Sequence, residues 1–475
     1  MPTKINKLYF LLDQLIEQDR LKLTDSVRSI VQIRSVAGEP EPGKPSGQGP
    51  AAALQAVLDI AGGMGFFTKN LDNYAGFVEY GEGKEYIAVL GHLDTVPEGI
   101  HWTFPPFEGR IHNGRIYGRG ALDDKGPILS ALYGLTAIRD SGVKLTRRIR
   151  IIFGTDEETG DLDVTHYLLK EKPPVCGFTP DSDFPVVFAE KGILQVDLSR
   201  NFLLNYRNSS DDVLVSFNGG EAANMVPDQA AAEIRTRNPL ELILKCEEFS
   251  HMCQAFSISA EQNGDLVIIR SEGVSSHASR PQHGKNAIMQ VVAFLSTIQF
   301  NPVEAHNMVR FMQKKIGMET TGELFGLGLA DNPSGHLTLN AGVVRYVGQT
   351  FTLSIDIRYP VTETFDHVIE IIQKTLKDLG VQTIVRKHQP PLYYPPESDL
   401  IRVLSTVYHD ATGDSGTPVA IGGGTYARRL PNIVAFGPYF PGKTNAIHAA
   451  DESIGCDELV LLAKIYARAM YTLAK

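Results

Sequence analysis

Ile87-Ala88-Val89-Leu90-Gly91-His92-Leu93-Asp94-Thr95 is an apolar run that stops on a histidine and an aspartate two residues apart. A run of this length, rich in branched residues, reads as a buried strand, and the two-residue period then puts His92 and Asp94 on the same side at its end. That pairing suits a metal ligand and its orienting carboxylate, because an imidazole bound through one nitrogen usually has the other held by an acceptor. A solvated strand-end turn would look the same in isolation. The meaning of the pair depends on what the rest of the chain supplies.

Further along, acids recur at comparable places. Gly118-Arg119-Gly120-Ala121-Leu122-Asp123-Asp124-Lys125-Gly126-Pro127 leads into an apolar helix over residues 128–138. Adjacent carboxylates there could be helix caps that complement the dipole. The strand-like 148–153 then delivers Gly154-Thr155-Asp156-Glu157-Glu158-Thr159-Gly160. Three consecutive carboxylates repel one another unless cations neutralise them, so a surface acidic turn is the costlier reading. Phe178-Thr179-Pro180-Asp181-Ser182-Asp183-Phe184-Pro185 brings further carboxylates after another short apolar run. An open α/β sheet delivers its ligand-binding groups in this way, at the carboxyl ends of its strands.

The 475 residues suffice for two or three domains, and 43% hydrophobic with 21% charged residues is ordinary for a folded protein. A formal net charge of −10 without a basic run argues against a nucleic-acid or anionic-membrane surface. Residues 1–20 scatter charges among apolar positions at helical spacing, which predicts an amphipathic helix of a cytoplasmic protein rather than a signal peptide. No window is apolar enough for a membrane span. The four cysteines lack C-x-x-C spacing and read as reduced thiols, so any bound metal takes nitrogen and oxygen ligands.

The remaining pattern predicts a loop over 39–49, a helix over 50–60 with Pro50 in its first turn, and strands 76–80 and 86–90 joined by a hairpin-like turn. Residues 97–120 read as an aromatic loop around Trp102, the single tryptophan. Near residue 191 the pattern changes to longer alternating strands, with helices expected near 240–256, 287–298 and 364–379 and facing strands at 337–347 and 351–359. Polar islands interrupt this region at 219–227, 273–281 and 356–360. Strand and helix alternation resumes with a helix at 400–408, the glycine stretch 420–428, a strand at 433–436 and a closing helix at 457–473. The fold class expected is therefore α/β, with a central mixed sheet flanked by helices and an inserted α+β domain of antiparallel strands and helices.

Taken together, G-H-L-D-T-V-P (91–97), G-R-G-A-L-D-D-K-G-P (118–127), G-T-D-E-E-T-G (154–160), T-P-D-S-D-F-P (179–185), S-S-H-A-S-R-P (275–281) and N-A-I-H-A-A-D-E (445–452) resemble the M20 family of metallopeptidases and amidohydrolases. Within it they are similar to the PepV-type, carnosinase-like or Xaa-His, bacterial dipeptidases. The motifs follow the family's order from about residue 8 to the end. The resemblance implies a zinc-peptidase-like catalytic domain formed by residues 1–191 and 388–475, with a lid domain, 192–387, inserted between its parts.

It also implies a pair of divalent metal ions, zinc first, with manganese or cobalt as alternatives. Asp123 would bridge them, with His92 and Asp181 on one ion and Glu158 and His448 on the other. Asp183, two residues on, is the alternative to Asp181. Asp94 would orient His92, Glu157 would act as general base toward a metal-bridging water, and His277 from the lid would stabilise the oxyanion. A cis peptide is expected between Asp123 and Asp124. Asn224, Arg358 and the backbone around Gly423, Gly424 and Thr425 match the residues that hold a dipeptide's terminal carboxylate. The long insertion implies a monomer in which two pseudo-equivalent lid halves imitate a partner subunit, with a homodimer as the alternative. The expected activity is hydrolysis of dipeptides, against two alternatives: a deacylase of the same family acting on N-acyl amino acids, and a catalytically silent peptide-binding relative.

Overall fold

The structure is a computed structural model and describes residues 4–202, 212–443 and 446–475. Residues 1–3 of the expected first helix, Asn445 of the last motif and Thr444 before it lie outside the described residues. The chain forms two compact units: residues 1–188, 394–419 and 425–475 make the first, and residues 189–393 with 420–424 make the second.

The first unit is built on a mixed sheet. Its strands run in the spatial order Phe67–Leu71, Ala75–Tyr80, Arg148–Gly154, Tyr86–His92, Cys176–Thr179, Ile433–Ala435 and the start of Val187–Glu190. Tyr86–His92 pairs in parallel with Arg148–Gly154 on one side and with Cys176–Thr179 on the other. All seven of its residues are buried, which accounts for its unbroken apolar sequence. The expected hairpin between residues 76–80 and 86–90 does not form: Arg148–Gly154 lies between the two strands, antiparallel to the first and parallel to the second. A short link permits a hairpin but cannot require one, and here the central position goes to the strand that matches both neighbours. Two short antiparallel strands, Arg110–His112 and Arg115–Tyr117, also interrupt the stretch expected to be loop.

The helix after Asp124 spans Lys125–Asp140, and every residue from Lys125 to Ile138 is buried. It packs against the closing helix Cys456–Ala474, and both lie on the strands Tyr86–His92 and Arg148–Gly154. Helices Lys4–Gln18, Arg20–Val31 and Gln48–Gly63 contribute to the same hydrophobic core.

The second unit is an eight-stranded antiparallel sheet in the order Ser257–Asn263, Leu266–Glu272, Gln229–Arg235, Val213–Gly219, Thr338–Val347, Thr350–Tyr359, Gly192–Asn201 and Gln382–Gln389. Helices Pro239–Met252, Ala287–Leu295, Val303–Lys315 and Phe365–Leu376 add to a core separate from that of the first unit. The expected combination of a mixed-sheet α/β unit and an antiparallel α+β unit is the one observed. Among the described residues no helix is long and apolar enough to cross a membrane.

Candidate metal centre

At the end of Tyr86–His92 the imidazole of His92 is fully buried. Gly91 makes this possible, because a Cβ there would overlap the Asp124 carboxylate, whose Oδ2 accepts the His92 backbone N–H at 3.3 Å. His92 Nε2 lies 3.0 Å from Asp123 Oδ1 and 3.9 Å from Asp181 Oδ2. The other oxygen of Asp123, Oδ2, lies 3.0 Å from His448 Nε2, which is itself 3.3 Å from Glu158 Oε2. Two clusters result, His92–Asp123–Asp181 and Asp123–Glu158–His448, each with its donor atoms within 4.8 Å of one another and with Asp123 in common. Asp183 belongs to neither; it sits on the strand Ser182–Asp183, paired with Pro438–Tyr439. The peptide bond between Asp123 and Asp124 is cis.

The donor set fits a pair of cations. Asp123 faces a different histidine with each oxygen, and the carboxylates of Asp94, Asp124, Asp181, Glu157 and Glu158 are gathered around it and these two imidazoles. Nitrogen and carboxylate oxygen donors suit zinc, manganese or cobalt. Burial opposes ionisation of Asp123, but hydrogen bonds from His448 and His92 hold its carboxyl well below the usual range. Hydrogen bonds to Asp123 and Glu158 push His448 up to about 11. Burial drives Asp181 the other way, well above the ordinary value, reinforced by the charge of Asp123. Glu157 is pushed up to about 8, first by burial and then by Glu158, Asp123 and Asp94, with His92 opposing.

Asp94 meets His92 with both its main chain and its side chain. His92 Nδ1 is nearest the backbone carbonyl of Asp94, at 3.0 Å, whereas the carboxylate Oδ1 is 3.5 Å away. The carboxylate also accepts the backbone N–H groups of Glu157, at 3.2 Å, and Glu158, at 3.0 Å. Immediately before them, Asp163 Oδ2 accepts the N–H groups of Thr155, at 2.8 Å, and Asp156, at 2.9 Å. Four consecutive amides at the strand end are thus captured by two buried carboxylates. The Tyr426 hydroxyl closes on the same oxygen of Asp163, and Gly154 must be glycine because a Cβ would strike both groups. The sequence reading did not single out Asp163 or Tyr426, since nothing in their local context marks them.

A cavity of about 690 Å³ in the same unit is lined by Leu122, Tyr439, Phe440, Ile454 and Leu462 together with Arg115, Lys443 and Glu458, and by none of the cluster residues. Leu122 precedes the shared Asp123, and the Tyr439 hydroxyl lies 3.5 Å from Asp181 Oδ1.

The other expected contacts belong to the second unit, apart from Thr425, which caps the short helix Tyr426–Arg428 of the first. Within the second unit the polar islands converge. Met225 and His277 form an antiparallel bridge, and the Asn224 carbonyl accepts the Ala278 N–H at 2.8 Å. Ser279 N–H donates to His277 Nδ1 at 3.1 Å, which places the ring proton on Nε2. Arg358 is buried; it donates to both Asp356 oxygens, at 2.5 and 3.1 Å, and to the Gly422 carbonyl at 3.0 Å. Gly422 in turn lies against Ser279. Gly423 and Gly424 follow directly in the chain.

Comparison with known proteins places this chain in a family. The chain is 39% identical over 466 residues to a Bacillus subtilis (strain 168) protein named provisionally as the dipeptidase YtjP, covering 95% of this chain and 97% of the relative. A Staphylococcus haemolyticus protein with a similarly provisional dipeptidase name is 33% identical over 458 residues, with 95% and 97% covered. Among solved structures, the aminoacylhistidine dipeptidase of Vibrio alginolyticus shares the fold, with a TM-score of 0.57 at 12% identity over 95% of this chain and 96% of that one. The family model described as Peptidase family M20/M25/M40 matches residues 88–472. This protein therefore belongs to the Peptidase family M20/M25/M40 and is a hydrolase of peptide bonds.

Proposed function

We propose that this protein is a di-metal dipeptidase: it binds two divalent cations, zinc first, and hydrolyses the peptide bond of short unblocked peptides. The observation that carries the reading is the sharing of Asp123 between two donor clusters, with Glu157 next in the chain to Glu158 of the second. His92 and Asp181 would hold one cation and Glu158 and His448 the other, Asp123 contributing one oxygen to each. Bound there, the cations supply the positive charge that acidifies a water and polarises the scissile carbonyl.

The protein's own groups do the rest. Glu157, its amide pinned by Asp94, takes the proton from the attacking water and returns it to the departing amine. From the second unit we assign His277 as the Nε2–H donor to the developing oxyanion and Asn224 with the 422–425 backbone as the group that takes the substrate's terminal carboxylate. Arg358 would serve that loop by holding the Gly422 carbonyl, which fixes the glycines that follow. The relatives' dipeptidase names support a short substrate. We further take the protein to work in the cytoplasm, where its four free cysteines stay reduced, and as a monomer.

The test is a metal-reconstituted screen of dipeptides, tripeptides and N-acyl amino acids. Dipeptides should be cleaved fastest. Hydrolysis of the acylated set alone would make the protein a deacylase, and binding without cleavage would make it a receptor.

A further inference from the structure

Four residues after His448 in the chain, the carboxylate of Glu452 is buried, 1% exposed, against Arg119, whose side chain is 2% exposed. Arg119 Nη1 donates to Glu452 Oε2 at 2.7 Å. The other oxygen, Oε1, accepts two consecutive backbone N–H groups, Leu122 at 2.9 Å and Asp123 at 3.1 Å. The Glu452 carbonyl also accepts the N–H of Gly118 at 3.0 Å. A buried ion pair of this kind is expensive to desolvate and gives no assurance of net stability, so its worth lies in what it holds. It holds the backbone of Asp123, the residue common to both donor clusters, to the segment that carries His448.

The neighbouring Asp451 extends the same linkage. Its oxygens accept the N–H and the hydroxyl of Thr103, both at 2.7 Å, while the guanidinium of Arg119 lies 5.2 Å from the centre of the adjacent Trp102 ring. His448 and Asp451 both have left-handed backbone, with φ of 58° and 60°. Non-glycine residues keep that conformation where surrounding contacts impose it.

We propose that Glu452, neutralised by Arg119, is a positioning residue that sets the separation between Asp123 and His448 and thereby the affinity of the second cation. This rests on the di-metal reading above. Because Glu452 grips a main-chain N–H of Asp123, its loss would leave the ligand side chains intact while freeing the segment that brings two of them together. His92 ends one sheet strand and Asp181 follows another, and both are less dependent on it.

The experiment uses the full chain, stripped with a chelator and titrated with zinc, with melting temperature read in the stripped and loaded states. Wild type should take up two ions. Glu452→Ala should hold the second at least ~10-fold more weakly, the size of effect seen when a group that orients metal ligands is lost. Glu452→Gln, which keeps an acceptor toward Leu122 and Asp123, should recover part of that affinity. The zinc-induced rise in melting temperature should shrink in the same order, whereas a purely structural role would lower the stripped and loaded values together. If the alanine variant does not fold, the glutamine variant carries the comparison. Wild-type zinc affinity and an undiminished zinc-induced rise in every variant that folds would overturn the assignment while leaving the di-metal reading in place. Failure of wild type itself to take up two ions would overturn both.

Discussion

The carboxylate of Asp94 receives the backbone N–H of Glu157 at 3.2 Å, through Oδ1. Its other oxygen takes the N–H of Glu158, so one buried side chain fixes both the proposed base and a proposed cation ligand. Asp94 also meets His92 through its main-chain carbonyl. Removing the carboxylate should therefore disturb the turn more than the histidine. Asp94→Ala is expected to lower kcat by ~100-fold or more while retaining the His92-side cation, read by steady-state kinetics beside metal analysis. A change confined to loss of that cation would return Asp94 to the role of a simple histidine partner.

Glu157, the proposed base, belongs to neither donor cluster among the described residues. Glu157→Gln should keep two metal ions per chain and lose ~100- to 10,000-fold in kcat, the range typical of general acid–base groups. Near-normal turnover would remove it from the mechanism.

The shared position of Asp123 separates two classes of ligand substitution. His448→Ala should lower the metal content from two ions to one, because His92, Asp123 and Asp181 remain together. Asp123→Asn should weaken both ions, since each cluster draws on one of its oxygens. Metal analysis after dialysis against a weak chelator distinguishes the two, and equal losses from both variants would argue against a bridging Asp123.

Asp163 offers a pH signature away from the cation ligands. Burial pushes its carboxyl up to about 6 from an ordinary 3.8, against the hydrogen bond from Tyr426. The folded value lies above the unfolded one, so the native state binds the proton more tightly. The stabilisation is fully present below about 3.8 and is lost as pH rises through about 6. In chelated protein, the stability of wild type relative to Asp163→Asn should fall by about 1 kcal/mol between roughly pH 5 and pH 7.5. Urea denaturation at several pH values measures it, and a difference independent of pH would show that Asp163 ionises normally.

His92, Asp123, Glu158, Asp181 and His448 were expected as a set through the resemblance of six short motifs to the M20 family, whereas local pattern by itself marked only acids and a histidine at the ends of apolar runs. Local pattern sufficed for the α/β class, since a strand buried between parallel neighbours must be apolar throughout. Tertiary structure decided the rest. Which strand lies beside Tyr86–His92 depends on pairing partners dozens of residues away, so the expected hairpin gave way to an intervening strand. Asp163 and Glu452 act by accepting main-chain N–H groups from other segments, and a backbone amide has no sequence signature to be matched. Residue chemistry determined which side chains could form this centre; long-range hydrogen bonding determined how they are held.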